Sequence, residues 1–263
     1  MAEIPQRAMS LLETLKRYYQ EAEEADYIMP VWLPFLPFLL MIIGYIGMIP
    51  AMLRAQGMGA GAGSAAVFAG FSAFTILMFI GAIINLYVLY KWIDRRNKHF
   101  KRASLFLTAL SDLSGELRLS KAETIRSRVN EYRMGVSERS PILFVILSII
   151  PLIGTIVLFY IYHFLNKDFA SHSRTEKLIL ADVLDSLSER GISIPKRIEE
   201  FTVVPSRNTI LYIVLLIITL GFFGFYWIYV LTKDPNEHFK SHRIFESELL
   251  RAFESLVRTT SMY

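Results

Sequence analysis

Apolar and polar positions divide the chain into four long apolar runs joined by segments with helical periodicity. The runs are Val31 to Leu53, Ser64 to Tyr90, Pro141 to Leu165 and Thr209 to Leu231, and none contains Asp, Glu, Lys or Arg. At about 1.5 Å per residue each is long enough to cross a hydrocarbon core of about 30 Å as a helix. Between the first two, residues 54–64 alternate glycine with other residues, which disfavours helix and predicts a flexible turn closing a helical hairpin. Aromatic residues gather where runs two to four end: Tyr87, Tyr90 and Trp92; Tyr160 and Tyr162; Tyr226, Trp227 and Tyr229. Such rings prefer the headgroup level and predict three membrane exits.

Each exit is followed by a similar polar phrase: Asn97-Lys98-His99-Phe100, Asn166-Lys167-Asp168-Phe169 and Asn236-Glu237-His238-Phe239. Counted from the phenylalanine, the second and third copies also share His172 with His242, Glu176 with Glu246, and Leu180 with Leu250. A unit returning roughly every seventy residues suggests an internal repeat. Apolar stripes follow at helical spacing: Phe106, Leu110, Leu113 and Leu117; Leu180, Val183, Leu184 and Leu187; Phe245, Leu249, Phe253 and Leu256. Ser120-Lys-Ala-Glu123 reads as a capping box opening a further helix with Ile125, Val129 and Tyr132. Met9, Leu12, Leu15 and Tyr19 predict an N-terminal amphipathic helix. The charges around the second and third stripes are balanced, which favours packing in a bundle over lying on lipid.

The expected fold is therefore an all-α membrane protein of four apolar segments with three repeated juxtamembrane amphipathic helical units. Its parts are an N-terminal amphipathic helix (1–30), a transmembrane hairpin with the first helical unit (31–140), a second repeat unit (141–207) and a third (208–263). Composition agrees: 53% of the 263 residues are apolar and mean hydropathy is positive, yet 20% are charged, which leaves polar mass outside a bilayer. The acidic residues before the first run, Glu13 to Asp26, have the wrong polarity for a cleaved signal peptide. Cysteine is absent, which excludes disulfides, thiolate metal sites and cysteine nucleophiles.

Lys and Arg number three in 1–30, one in 54–63, twelve in 91–140, seven in 166–207 and five in 232–263. Threading four spans puts twenty on one side and eight on the other, so the expectation is a multi-pass cell-membrane protein with both termini cytoplasmic. Residues 166–207 fit poorly, because they would lie outside while repeating the pattern of the inside segments. The alternative is that runs three and four are re-entrant wedges, bending at Pro151 to Gly154 and at Gly221 to Gly224, with every polar unit on one side. Against wedges, irregular backbone at mid-depth needs protein around it.

The last run carries a family resemblance. Arg207 and Gly221-Phe-Phe-Gly-Phe-Tyr-Trp-Ile-Tyr-Val-Leu-Thr-Lys233 resemble an uncharacterised prokaryotic, archaeal-type family of integral membrane proteins, a domain of unknown function with an Arg, apolar run, Gly-x-x-Gly-x-Tyr-Trp-x-Tyr-x-Leu-x-Lys pattern. Residues 141–172 are similar more loosely, without a Trp before Tyr162. The resemblance implies membrane location and a repeatable module, and no activity or site.

Chemistry is sparse. His238 and His242, and Asp168 with His172, stand four apart and would share a helix face, which makes them candidate metal ligands; Ala103 replaces the second ligand after His99. The plainer expectation is that they cap or anchor helices and that no metal or cofactor is bound. Lys91, Arg95, Arg96, Lys98, Lys101 and Arg102 form a basic cluster suited to lipid headgroups, including anionic ones. Nothing interleaves these charges with exposed aromatics, so nucleic acid is not an expected partner. No intramembrane carboxylate or cation supports ion-coupled transport, and no metalloprotease helix, Walker loop or nucleophile elbow is present. The expectation is a non-enzymatic membrane subunit that binds a membrane or cytoplasmic protein partner or itself through its repeated helices. The alternatives are an oligomeric channel or passive transporter, and a lipid-organising or curvature-generating protein with re-entrant wedges.

Overall fold

The computed structural model describes residues 3–57 and 60–261. It is all-helical, with no strand among the described residues. Helix α1 (Glu3–Gln20) and the short α2 (Ala22–Ala25) precede α3 (Leu36–Gly57), which turns back into α4 (Ala60–Glu116). After α5 (Ala122–Gly135), the short α6 (Pro141–Ile149) turns into α7 (Ile153–Glu189), and the short α8 (Thr209–Ile218) turns into α9 (Phe223–Ser261). The glycine stretch is more helical than its composition suggests, since α3 runs to Gly57 and α4 starts at Ala60; the centre of the expected turn, 58–59, lies outside the described residues.

Two helical stretches, Leu33–Gln56 and Gly63–Glu116, are long and apolar enough to cross a membrane. Runs three and four do not form single continuous helices. Each breaks into a short helix, a turn and the start of a long helix. The turns lie where Pro151 withholds an amide and where Gly221 takes φ +95°, flanked by left-handed Leu152 (φ +65°) and Leu220 (φ +50°). Gly154 is required by close approach, because a Cβ there would lie 2.2 Å from the Ser148 carbonyl oxygen. Ser140 and Asn208 start the short helices as caps, accepting from Leu143 N and from Ile210 and Leu211 N.

The amphipathic stripes meet in one core. Phe106, Leu110 and Leu113 of α4, Ile125 and Val129 of α5, Ile179, Val183 and Leu187 of α7, Leu249 and Phe253 of α9, and Leu12 and Leu15 of α1 are all buried together. Residues 166–189 therefore pack on the same bundle as 91–140 and as both terminal helices. Four-span threading would have put them on opposite sides. The capping box is not formed: Ser120 donates to Ser186 instead, and α5 starts at Ala122 without a side-chain cap.

A second apolar cluster joins the bundle to the hairpin feet. Phe100, Phe169 and Phe239, one from each polar phrase, pack in it with ring centroids 5.2 Å (Phe100–Phe169) and 5.8 Å (Phe169–Phe239) apart. Trp92 and Trp227 are buried there too, both edge-on to Tyr162. They were expected at headgroup level, but helical phase turns them inward and leaves Tyr87, Tyr160, Tyr226 and Tyr229 exposed.

Candidate functional site

Every hairpin is entered through an extended strap, residues 27–30, 136–140 and 202–208. A strap has no ladder of its own, so its buried amides and carbonyls need side-chain partners. The polar phrases supply several. Asn236 accepts from Met29 N (3.1 Å) and donates to Met29 O (2.7 Å), while Asn97 accepts from Arg139 N (3.2 Å) and donates to Arg139 O (2.6 Å). Two asparagines thus hold the backbone of two straps by the same two-point contact. On the third strap, Thr202 N donates to Ser241, Val204 N donates to Ser173, and Thr202 O contacts His238 Nδ1 at 2.9 Å. Asn166 is buried without the equivalent contact, its Oδ1 making no hydrogen bond among the described residues.

Arginines of α4 complete this layer. Arg95 donates to Asn236 Oδ1 (2.8 Å) and Leu231 O (2.9 Å); Arg96 donates to Asp168 (2.8 Å) and pairs stacked over Phe100, its carbon centre 4.4 Å from the ring. Arg102 donates to Asp26 (2.7 Å) and to Glu246. All three are almost fully buried, which corrects the reading of 91–102 as one headgroup patch. Arg95, His99, Arg102 and Phe106 recur at spacings of three and four and form the inward stripe of α4. Lys98 and Lys101 face outward, and Lys91 is half-buried against Asp94.

Inside this ring lies a buried imidazole and carboxylate cluster. His99 comes from α4, His172 and Glu176 from α7, His238 and His242 from α9, and all five are buried. His99 stands at the centre, its ring 5.0 Å from His172, 5.2 Å from His238 and 5.1 Å from His242. Glu176 Oε1 lies 2.9 Å from His242 Nε2, 3.1 Å from His172 Nε2 and 3.3 Å from the Tyr132 hydroxyl that donates to it. Its Oε2 is 3.1 Å from His238 Nε2, but neither atom makes a hydrogen bond there. Burial alone would raise the Glu176 carboxyl; the neighbouring His172 and His242 hold it well below the usual carboxylate range. Burial lowers His172 to about 4. For His242 burial acts the same way but is overcome by Glu176 and Glu246, and the group is raised to about 10.

Of the sequence candidates for metal binding, His172 and His238 enter this cluster and His242 borders it. Asp168 does not: it faces away and receives Arg96 and Arg139. The expected i, i+4 pairs are replaced by contacts between helices, with His99 and Glu176 in the places given to His242 and Asp168. The shared +7 position of Glu176 and Glu246 was the available signal for the carboxylate. His99 and His238 hold the same place in their phrases, directly before the phenylalanine, and that was the available signal joining them. A cleft of ≈ 410 Å³ opens beside His172, lined among others by Arg96, Glu131, Tyr132, Lys167 and Asp168.

No curated protein and no solved structure matches the chain. Residues 207–251, covering the α8–α9 hairpin and its polar phrase, match a domain family of unknown function, DUF4234.

Proposed function

We propose that this protein organises or bends a membrane: it inserts two short helical hairpins into one leaflet beside one spanning hairpin and holds all three by a cytoplasmic bundle. The observation that carries this reading is the pair of hairpin tips. Leu152 is 87% and Leu220 90% exposed, and both stand in the left-handed region that costs a bulky residue about 1–2 kcal/mol and costs glycine nothing. Leucine at such positions makes sense where the side chain enters lipid. The nine residues of α6 and ten of α8 reach about 14 and 15 Å, half of a core of about 30 Å. A body confined to one leaflet expands that leaflet and favours curvature, whereas the α3–α4 hairpin is long enough for both.

Two further observations support it. With every hairpin foot on the bundle side, all Lys and Arg residues except Arg54 fall on that side, a stronger bias than four spans give. The amphipathic stripes are consumed in the protein's own core, so they are not free to dock a partner subunit. In this reading the three strap, hairpin and long-helix units are repeats arranged around the phenylalanine cluster, with Asn97 and Asn236 each holding the strap of a different unit.

The test is reconstitution of the full chain into liposomes containing anionic lipid, with vesicle shape read by electron cryomicroscopy. Narrowed vesicles or tubules are expected, and Leu152→Lys with Leu220→Lys should abolish them while helical content is kept. Unchanged vesicle diameter with the wild-type protein refutes the proposal. Topology is checked by labelling single cysteines in this cysteine-free chain: Ser188→Cys should react from the bundle side and Gln56→Cys from the other. Reaction of both from one side also refutes it.

A further inference from the structure

We propose that His99, His172, Glu176 and His238 bind a divalent transition-metal ion, which ties α4, α7 and α9 together where the bundle meets the hairpins. One ligand atom from each of the four lies within 4.8 Å of the other three, and all four residues are buried. Three side-chain atoms of these residues, His99 Nε2, His238 Nε2 and Glu176 Oε2, make no hydrogen bond among the described residues. Buried polar atoms are ordinarily satisfied, so three orphans in one cluster require an account. The contact of His238 Nε2 with Glu176 Oε2 illustrates this: 3.1 Å apart, the two fail to align as donor and acceptor, as expected when both lone pairs are directed at a third atom.

The far side of each imidazole is held as in metal sites. His99 Nδ1 meets Asp26 Oδ1 at 2.7 Å, His238 Nδ1 meets the Thr202 carbonyl at 2.9 Å, and His172 Nδ1 meets the Tyr132 hydroxyl at 2.8 Å. Partners of this kind fix the ring and turn Nε2 toward the ion; for His99 and His238 the acceptor also fixes the tautomer that leaves Nε2 its lone pair. Glu176 is positioned through its other oxygen, which His242 and Tyr132 engage.

Charge points the same way. The connected network contains three buried carboxylates, Asp26, Glu176 and Glu246, against Arg102 and His242, whose two ring nitrogens both face carboxylates. A net negative charge remains, which favours a cation at this place because uncompensated buried charge is costly. Three nitrogens and one carboxylate oxygen suit Zn²⁺ and its neighbours in tetrahedral geometry. Bond lengths of about 2.0 Å put tetrahedral ligand atoms about 3.3 Å apart, so side-chain rotations of about an ångström close the shell. Four protein ligands without an open position make this a structural ion, independent of the wedge reading.

The test uses the full chain in detergent, stripped with a chelator and titrated with Co²⁺, then Zn²⁺. One equivalent of Co²⁺ should give the intense visible bands of a tetrahedral site, and Zn²⁺ should displace it. His99→Ala and His238→Ala should abolish the bands, and Glu176→Gln, which keeps the shape of the side chain, should weaken binding at least about tenfold. Asp26→Asn should weaken it about 10–100-fold through His99. His163→Ala, at a histidine paired instead with Thr209, should bind like wild type. Absence of tetrahedral Co²⁺ bands in the wild-type protein overturns the proposal, as does wild-type affinity in folded Glu176→Gln.

Discussion

Replacing Asn236 by alanine tests how the straps are held. Asn236 is buried and serves three partners that have no water to turn to: the amide and the carbonyl of Met29, itself fully buried, and one arm of Arg95. Each buried group left unpaired costs about 1–3 kcal/mol, and hydrogen bonds to charge lie at the upper end. Relaxation recovers part of this, which leaves about 3–5 kcal/mol for Asn236→Ala. Asn97→Ala loses a similar two-point contact to Arg139, but in a half-buried place where water can substitute, and should cost about 1–2 kcal/mol. Asn236→Asp is the informative third variant. It keeps an acceptor for Arg95 and Met29 N, gains a charge opposite the guanidinium and loses the donor to Met29 O, so it should fall between wild type and alanine. Thermal unfolding of the full chain in detergent, at one scan rate because such unfolding is often irreversible, provides the ranking. For a chain of this size the alanine change corresponds to a fall of roughly 10 °C, with about 2–4 °C per kcal/mol. A loss below about 1 kcal/mol for Asn236→Ala, or a larger one for Asn97→Ala, would refute the argument that burial of the clamped strap sets the cost.

Other substitutions probe separate parts of the fold. Gly154→Ala puts a Cβ 2.2 Å from a backbone oxygen and should destabilise by about 2 kcal/mol or more, whereas Gly47→Ala, with nothing within 4 Å, should be neutral or slightly stabilising; denaturant midpoints compare them. Asp168→Asn removes the anion shared by buried Arg96 and by Arg139 and should cost about 3 kcal/mol. A double-mutant cycle with Arg139→Gln should then show coupling, and strict additivity would contradict a shared site. If the ion binds as proposed, saturating Zn²⁺ at about 100 times Kd should stabilise by about 2.7 kcal/mol and a chelator should reverse the gain in wild type but not in His99→Ala, as read by melting temperature.

The helical class, the first hairpin and the bundle stripes were legible because they rest on periodicity. Phe106 to Leu117, Leu180 to Leu187 and Phe245 to Leu256 recur at helical spacing, and the same spacing buries them. The phrase Asn-x-x-Phe was visible as well, but its use was not: that Asn236 reaches back to Met29 depends on a partner 207 residues away, which no local pattern encodes. Hydropathy counted runs three and four as long enough to span. It could not tell one helix from two short ones, because a Pro or Gly at mid-run is equally compatible with a kinked span. What the structure adds is the break in each run and the packing of residues 166–189 with 91–140 in one bundle.

The candidate site divides in the same way. The sequence by itself determined which residue types were available, five histidines and no cysteine, and placed His172 and His238 just past membrane exits. It paired ligands within helices because i, i+4 is the one neighbour relation a linear sequence displays. The tertiary structure decided that the clustered histidines and Glu176 come from three helices, that His99 occupies the centre, and that the basic residues at 95, 96 and 102 turn inward. The reason is geometric. Periodicity fixes which residues share a face of one helix, while the phase of that face relative to two others is set by core packing and by straps whose partners lie far along the chain.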